Sequence, residues 1–379
     1  MKIVIAPDSF KGSLSSNEVI AHVKQSALKF FPAAQVVEVP IADGGDGTVE
    51  AVVLATGGQL KSADAQDPIG RCKPCIYGDA DGKAIVGMSE CSGLAPLSAT
   101  ERNPMNTSSH GTGDVIRHAL DDGFTDIYVG IGGSATNDCG SGCMQALGLK
   151  FLRADGSEIE RMCGKELIHV AAVDDSDLDP RLKGAAITIM CDVTNPLTGD
   201  NGATMVYGPQ KGGTPSRLAS LEEGMIHYER VLNAYAGEAV SLMPGSGAAG
   251  GIGAALYAYA GAKLTSGIDA ILELVQFEKR IKDADLIITG EGKVDKQSAS
   301  GKVIHGVAEY ASKAGVPVVV IAGSVGDGAQ VVYGLGVNTI VALPDAPMSL
   351  DECIDDAETL IKKAADRVFS LLKIGSGLK

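Results

Sequence analysis

The stretch 127-IYVGIGGSATND-138 decides how this chain is expected to fold. It opens with β-branched and aromatic residues at 127–129, which are typical of a buried strand. Glycines follow at 130, 132 and 133, and then a run of polar residues of the kind that begins helices. The stretch therefore predicts a strand, a glycine-rich turn and a helix start, where backbone N–H groups and the positive helix end can receive an anion.

The same turn fits two kinds of ligand. Gly130, Gly132 and Ala135 form G-x-G-x-x-A, a pattern that also occurs in dinucleotide-binding proteins. In those proteins the glycines follow the first strand of a βαβ unit, and an acidic residue ends the next strand. The acidic candidate here, Asp155, lies in sequence typical of a hairpin. An NAD(P)-dependent reductase of a small hydroxy acid is therefore the alternative interpretation.

Length and composition favour a globular α/β protein of two domains. The chain has 379 residues, which is too long for one ordinary hydrophobic core. Its 49 glycines are scattered as in a fold with many βα loops. A formal net charge of −15 argues against nucleic acid and anionic membranes as partners. We expect a cytoplasmic protein, since no apolar run would span a membrane and residues 1–10 are unlike a signal peptide. The eight cysteines are expected to be reduced.

Strand and helix patterns alternate at both ends of the chain and change in the middle. Two short strand-like runs around Asp81 and Gly82 predict an antiparallel hairpin. From Asp285 the alternation returns, with a strand predicted over residues 286–289. The simplest topology is a parallel-sheet α/β domain formed by residues 1–66 and 285–379, with residues 67–284 inserted as a mixed α/β domain.

Two polar loops follow the first two predicted strands. The first is PDSFKGS at residues 7–13, whose lysine can reach an anion, and the second is ADGGDGT at residues 42–48, where carboxylates flank two glycines. Open α/β sheets bind ligands beyond the carboxyl ends of their strands, so both loops are candidate binding sites. The candidate substrate-binding residues are Asp8, Ser9, Lys11, Asp43, Gly44 and Gly45.

A carboxylate ends the apolar run before MCDVTNPL, residues 190–197. This is Asp192, and a carboxylate at the end of a buried strand is expected to be partly desolvated. Such a group can act as a general base or bind magnesium, and a helix cap or turn is the simpler alternative. Asp192 is therefore a candidate base and metal ligand.

Two further stretches carry charge or glycine. GEGKVDKQSASGK, residues 290–302, places Glu291, Lys293 and Asp295 in one predicted βα loop, a mixture suited to a phosphate and its metal ion. The spacing is not that of a Walker A loop, and an ordinary solvated loop is the alternative. PGSGAAGG, residues 244–251, is a second possible anion site at Gly247, although close helix packing explains it equally well.

Seven motifs in order resemble the bacterial glycerate kinase family of the GarK/GlxK type. They are IAPDSFKGSLS, ADGGDGT, GIGGSATND, CDVTNPL, GPQKG, PGSGAAGG and TGEGKVDKQS, and the resemblance spans the chain from residue 3 to past residue 320. The resemblance implies phosphoryl transfer from Mg-ATP to D-glycerate, giving 2-phosphoglycerate. It also implies a flavodoxin-like domain built from both chain ends and an inserted α/β domain. At Cys139 this family commonly has glycine.

The resemblance also implies roles for the candidate residues. The expected cofactors are ATP and Mg2+, and the expected state is a monomer or homodimer. A kinase that forms 3-phosphoglycerate and a non-catalytic sensor remain as alternatives. The catalytic residues implied are Asp192, Asp43, Lys11 and Lys293. The nucleotide phosphates are expected at Gly132, Gly133, Ser134, Ala135, Thr136, Asn137, Gly247 and Lys293. The metal ligands implied are Asp192, Glu291 and Asp295.

Overall fold

The computed structural model describes residues 1–10, 12–42, 44–45, 47–299 and 302–377, without the side chains of Gln297 and Ala299. Two predicted site residues, Lys11 and Asp43, therefore lie outside the described residues.

The strands alternate with helices along much of the chain. The strands are β1 (Lys2–Ile5), β2 (Gln35–Glu38), β3 (Gln59–Gln66), β4 (Cys72–Ala80), β5 (Lys83–Gly87), β6 (Asp126–Gly130), β7 (Lys150–Leu152), β8 (Ala172–Asp174), β9 (Ala186–Met190), β10 (Lys263–Thr265), β11 (Leu286–Val294), β12 (Val318–Val325) and β13 (Val337–Ala342). The α-helices are α1 (Ser16–Phe30), α2 (Thr48–Thr56), α3 (Met88–Ser92), α4 (His110–Asp121), α5 (Ser141–Ala146), α6 (Ala203–Tyr207), α7 (Pro215–Ala236), α8 (Ile252–Ala260), α9 (Gly267–Leu274), α10 (Phe277–Ile281), α11 (Val303–Ala314), α12 (Leu350–Asp355) and α13 (Ala357–Gly377). Among the helices of the described ranges, none is both long and apolar enough to cross a membrane.

The two ends of the chain form one parallel sheet. Its strand order is β2-β1-β11-β12-β13, and all four pairings are parallel. Counted within this sheet, the order is 2-1-3-4-5, the flavodoxin-like arrangement, which confirms the predicted α/β fold class. Helix α1 starts at a capping box in which the Ser15 side chain accepts from the Glu18 N–H and the Glu18 carboxylate accepts from the Ser15 N–H. Buried aliphatic residues of β1, α1, β11 and α13 form the core on one face of the sheet.

The middle of the chain forms a mixed sheet of order β3-β4-β5-β6-β9-β10. Strands β3, β4 and β5 pair antiparallel, whereas β5, β6, β9 and β10 pair parallel. The turn between β4 and β5 has positive φ at Asp81 (55°) and Gly82 (76°), as the predicted hairpin requires. Strand β6 lies between β5 and β9 and buries Ile127 and Val129 on one face, so the stretch that opens the glycine-rich turn is anchored in the core of this sheet.

The chain divides into two compact units. Unit 1 comprises Met1–Asp43, Leu54–Gly57 and Gly267–Lys379, and unit 2 comprises Gly44–Val53 and Gly58–Ser266. These limits differ from the predicted domain boundaries in three places, because residues 44–53 and 58–66 fall in unit 2 and residues 267–284 fall in unit 1. Strand β3 belongs to unit 2 because it pairs with β4 along its whole length. Helix α9 belongs to unit 1, where Ile268 packs so closely on α11 that a Cβ at Gly306 would lie 2.5 Å from its Cγ1.

Candidate active site

In unit 1, the loop after β1 runs beside β11 at the point where the strand order of the sheet reverses. The Asp8 N–H donates to the Gly290 carbonyl (2.9 Å), and the Thr289 hydroxyl donates to the Ala6 carbonyl (2.8 Å). The Asp8 side chain is buried and accepts from the Ser9 N–H (2.7 Å). Open parallel sheets bind their ligands at such a reversal. The structure therefore brings Asp8 and Ser9 next to the start of the GEGKVDKQS motif.

The prediction that this motif forms a βα loop is wrong in its first half. Strand β11 continues to Val294 and pairs with β12 throughout, so Glu291 and Lys293 lie on the strand itself. The glycines here serve close packing of the two strands, because a Cβ at Gly323 would lie 2.3 Å from the Gly292 carbonyl oxygen. The turn begins after Val294 and carries Asp295.

Glu291 is a buried carboxylate with a defined partner. Its side chain is 6% exposed, and its Oε1 accepts a hydrogen bond from the hydroxyl of the fully buried Ser298. The same hydroxyl accepts from the Asp295 N–H (3.2 Å), so Ser298 ties the strand to the following turn. Lys293 is 63% exposed and pairs with Asp295 (2.9 Å), a surface ion pair of small energetic worth. Unit 1 thus presents two carboxylates and an accessible lysine at one end of β11.

In unit 2, the glycine-rich turn after β6 packs backbone to backbone on the ADGGDGT loop. The Gly132 N–H donates to the Gly44 carbonyl (3.2 Å). A Cβ at Gly130 would lie 2.8 Å from the same oxygen, and one at Gly132 would lie 2.6 Å from the Gly45 Cα. Only glycine allows this approach without a shift. The structure therefore brings together two motifs that are more than 80 residues apart in the sequence.

The turn has an accessible half and an interior half. Gly132 and Gly133 reach solvent and Ser134 is 8% exposed, whereas Ala135, Thr136 and Asn137 are fully buried. The Ala135 N–H donates to the Ser92 carbonyl (2.9 Å), and the Asn137 amide donates to the Thr204 hydroxyl (3.1 Å). The interior residues therefore support the turn, and its accessible part is 132–134. Because the Gly132 N–H donates to Gly44, a phosphate would meet the N–H groups of Gly133 and Ser134.

The glycines of the second cluster, residues 244–251, pack closely against neighbouring backbone. The Gly247 N–H donates to the Asn195 carbonyl (3.0 Å), and a Cβ at Gly247 would lie 2.0 Å from the Pro196 oxygen. Gly250 likewise approaches the Thr136 carbonyl, 2.2 Å from where its Cβ would be. The packing alternative thus accounts for Gly247, whose N–H is already used within the protein.

Asp192 lies two residues beyond the end of β9, and its side chain is exposed. The expectation of partial desolvation is therefore wrong, because the apolar strand ends at Met190 and the chain turns outward. Met190 itself pairs with Gly130 of β6 and lies 3.5 Å from the Cβ position of Gly44. Asp192 consequently follows the strand next to β6, at the same edge of the sheet as the glycine-rich turn.

A buried polar cluster beneath this turn was not predicted. Asp138 is fully buried and accepts from the Ser109 N–H (2.7 Å) and the Ser109 hydroxyl (2.8 Å). Burial raises the pKa of Asp138, and these hydrogen bonds oppose the rise. Lys211 is 1% exposed and its Nζ donates to the Thr136 carbonyl (2.6 Å). Burial lowers the pKa of Lys211 to about 7, and the Asp138 carboxylate opposes the fall.

The comparisons with known proteins cover essentially the whole chain. A family model described as the glycerate kinase family matches residues 3–373. The chain belongs to the glycerate kinase family. It is 45% identical over 377 residues to a glycerate 2-kinase of Escherichia coli K12, with 99% of each chain covered. It is 41% identical over 368 residues to a glycerate kinase of Halalkalibacterium halodurans, with 97% of each chain covered.

A solved structure gives the same result for the fold. A crystal structure from Salmonella typhimurium LT2, provisionally assigned as glycerate kinase 2, has a TM-score of 0.89 and 41% sequence identity, with full coverage of both chains. These matches confirm the resemblance that the seven motifs predicted. Where this glycerate kinase family member has Cys139, the backbone has a φ of 50°, a left-handed conformation that glycine adopts without strain.

Proposed function

We propose that this protein is an ATP-dependent glycerate kinase that transfers a phosphoryl group to the 2-hydroxyl of D-glycerate. The observation that carries the proposal is the full-length match to the glycerate kinase family, together with a relative named glycerate 2-kinase at 45% identity. Phosphoryl transfer needs anion-binding backbone, carboxylates for a metal ion and an accessible cation. The glycine-rich turn of unit 2 offers such backbone, and the end of β11 in unit 1 offers two carboxylates and an accessible lysine, which supports the proposal.

The glycine-rich turn is proposed to receive phosphates of ATP at residues 132–134, through the backbone N–H groups of Gly133 and Ser134, because the Gly132 N–H already donates to Gly44. This part of the turn is accessible, and the contact with Gly44 and Gly45 fixes its backbone. A loop whose backbone is already held need not be ordered when the ligand binds, so less of the binding energy is lost. Lys293, which is exposed beside Asp295, is proposed to neutralise phosphate charge.

Glu291 and Asp295 are proposed as magnesium ligands. Carboxylate oxygens suit this ion, and Glu291 is held in place by Ser298 through one of its two oxygens. Within the part of the chain that the structure describes, no group of three or more histidine, cysteine or acidic side chains forms a ready metal cluster. Magnesium usually keeps several waters and binds one or two carboxylates plus substrate phosphates. When bound, the ion neutralises phosphate charge.

Asp192 is proposed as the general base that takes the proton of the attacking hydroxyl. Its carboxylate follows β9 and is open to solvent, so a substrate can reach it. Asp43 remains the second candidate for this role, and Lys11 is proposed to meet the carboxylate of glycerate. Asp8, Ser9, Gly44 and Gly45 are proposed to complete the substrate contacts.

Phosphorus NMR of the purified protein with ATP, Mg2+ and D-glycerate tests the activity and its position together. We expect ADP and 2-phosphoglycerate to form in equal amounts. If 3-phosphoglycerate forms, the protein is a glycerate kinase with the other regiochemistry. If ATP is not consumed when glycerate is added, the proposal is overturned and the protein is better described as a sensor.

The structure supports the reductase alternative less well than the sequence does. A dinucleotide-binding unit requires the strand after the fingerprint helix to lie parallel in the same sheet. The strand after α5 is β7, which instead pairs antiparallel with β8 in a separate two-stranded sheet. NADH fluorescence is therefore expected not to change when the protein is added.

The substitution Glu291→Gln is expected to weaken divalent metal binding about tenfold, because it removes a buried negative charge and keeps the shape of the side chain. Titration of Mn2+ in the presence of ATP, followed by electron paramagnetic resonance, measures this directly. Glu309→Gln on the surface of α11 is the matched control and is expected to bind Mn2+ as the parent does. Equal Mn2+ affinity in the Glu291 variant and the parent would remove Glu291 from the metal site.

A further inference from the structure

Lys211 is a lysine buried from solvent, with 1% of its surface exposed. It ends a short 3-10 turn, Pro209–Lys211, and the following Gly212 adopts a φ of 90°. A Cβ at Gly212 would lie 2.2 Å from the Arg102 carbonyl oxygen, so the GPQKGG loop is pressed against its neighbour and its lysine is directed inward. Burying an ammonium group is costly unless it is paired. Its presence there needs a local reason.

The contact that Lys211 makes is to the glycine-rich turn. Its Nζ donates to the carbonyl of Thr136 (2.6 Å), at the start of the interior half of that turn. Asp138, two residues on, is the buried carboxylate whose charge acts on the ammonium group. Within the described ranges the Thr136 hydroxyl and the Asn137 Oδ1 are buried without a hydrogen-bond partner. The ammonium group is thus one polar restraint on this part of the turn, beside the hydrogen bonds of Ala135 to Ser92 and of Asn137 to Thr204.

We propose that Lys211 is a positioning residue for nucleotide binding, which holds the glycine-rich turn through the Thr136 carbonyl so that residues 132–134 face the phosphates of ATP. This inference rests on the proposed function, in which ATP binds at that turn. Lys211 does not itself touch the ligand. It acts through the backbone between Thr136 and Ser134.

The test is the equilibrium affinity for ATP of Lys211→Met, measured by isothermal titration calorimetry. Methionine keeps most of the side-chain volume and removes the donor and the charge. We expect the Kd for ATP to rise at least tenfold, which is the order expected for a lost charged hydrogen bond. The thermal midpoint is expected to stay within about 3 °C of the parent, because the cost of burying the ammonium group disappears with it.

Lys2→Met is the matched control. Lys2 also donates from Nζ to a backbone carbonyl, that of Lys282 (2.5 Å), at the amino end of β1 in unit 1. We expect its Kd for ATP to equal that of the parent. In turnover assays, Lys211→Met is expected to raise the KM for ATP while kcat and the KM for glycerate change less than about twofold, a split that general destabilisation would not produce.

Several results would overturn the inference. The first is an ATP affinity of Lys211→Met within twofold of that of the parent, and the second is a parent that does not bind ATP. The third is that Lys211→Met loses affinity for ATP and for glycerate equally and also shows a large fall in thermal midpoint. If Lys211→Met does not fold, Lys211→Gln replaces it, with an expected rise in Kd of at least threefold. Because calorimetry needs no turnover, a parent that binds ATP without phosphorylating glycerate would refute the proposed function and leave the test of Lys211 valid.

Discussion

Replacing Asp192 by Asn is expected to lower kcat about 10²- to 10⁴-fold, the usual range for loss of a general base. Asparagine has the shape of aspartate but cannot accept the proton of the attacking hydroxyl. Because the side chain is exposed, we expect no change in thermal midpoint beyond about 2 °C. Initial rates of ADP formation at saturating ATP and glycerate measure the effect.

The matched control is Asp200→Asn, an exposed aspartate eight residues further along the same segment. It is expected to turn over at the parental rate. Mn2+ titration separates the two roles considered for Asp192, since a base leaves metal affinity unchanged and a metal ligand does not. If Asp192→Asn keeps a near-parental kcat, Asp192 is not the base and Asp43 becomes the candidate.

The fold could be predicted wherever the signal is local. The β-branched run at 127–129 became the central part of β6, and the turn at Asp81 and Gly82 became the hairpin between β4 and β5. Both depend on backbone preferences of a few adjacent residues. Strand pairing is not local in this way. The 59–66 segment could be assigned to unit 2 only from its antiparallel pairing with β4.

The candidate site was predicted less completely for the same reason. Loops at strand ends were found because parallel sheets present their carboxyl ends together. Which glycines bind a ligand and which serve packing depends on partners distant in sequence, such as Pro196 for Gly247. A lysine in a glycine-flanked loop normally indicates a solvated cation, and the burial of Lys211 follows from the contact of its loop with Arg102. The glycines at 208, 212 and 213, which allow close packing of this loop, are the local signal that could have suggested it.

Gly132→Ala is expected to reduce kcat/KM about 10²-fold. The new Cβ would lie 2.6 Å from the Gly45 Cα, whereas carbon atoms in ordinary contact are about 3.5–4.0 Å apart, so the two loops must separate by about 1 Å. A displacement of that size in a positioning element costs about two orders of magnitude in rate. The φ of Gly132 lies outside the left-handed region, so alanine can adopt the backbone conformation and the effect isolates the lost contact.

Gly184→Ala is the control that separates this contact from the general effect of adding a methyl group in unit 2. A Cβ at Gly184 would lie 3.7 Å from the Arg181 carbonyl oxygen, an ordinary contact, and we expect kcat/KM to equal that of the parent. Rates are compared at a temperature where circular dichroism shows all three proteins folded, since overpacking costs about 1–3 kcal/mol of stability. If folded Gly132→Ala kept kcat/KM within about threefold of the parent, the packing of the glycine-rich turn on Gly44 and Gly45 would not set the geometry of phosphoryl transfer.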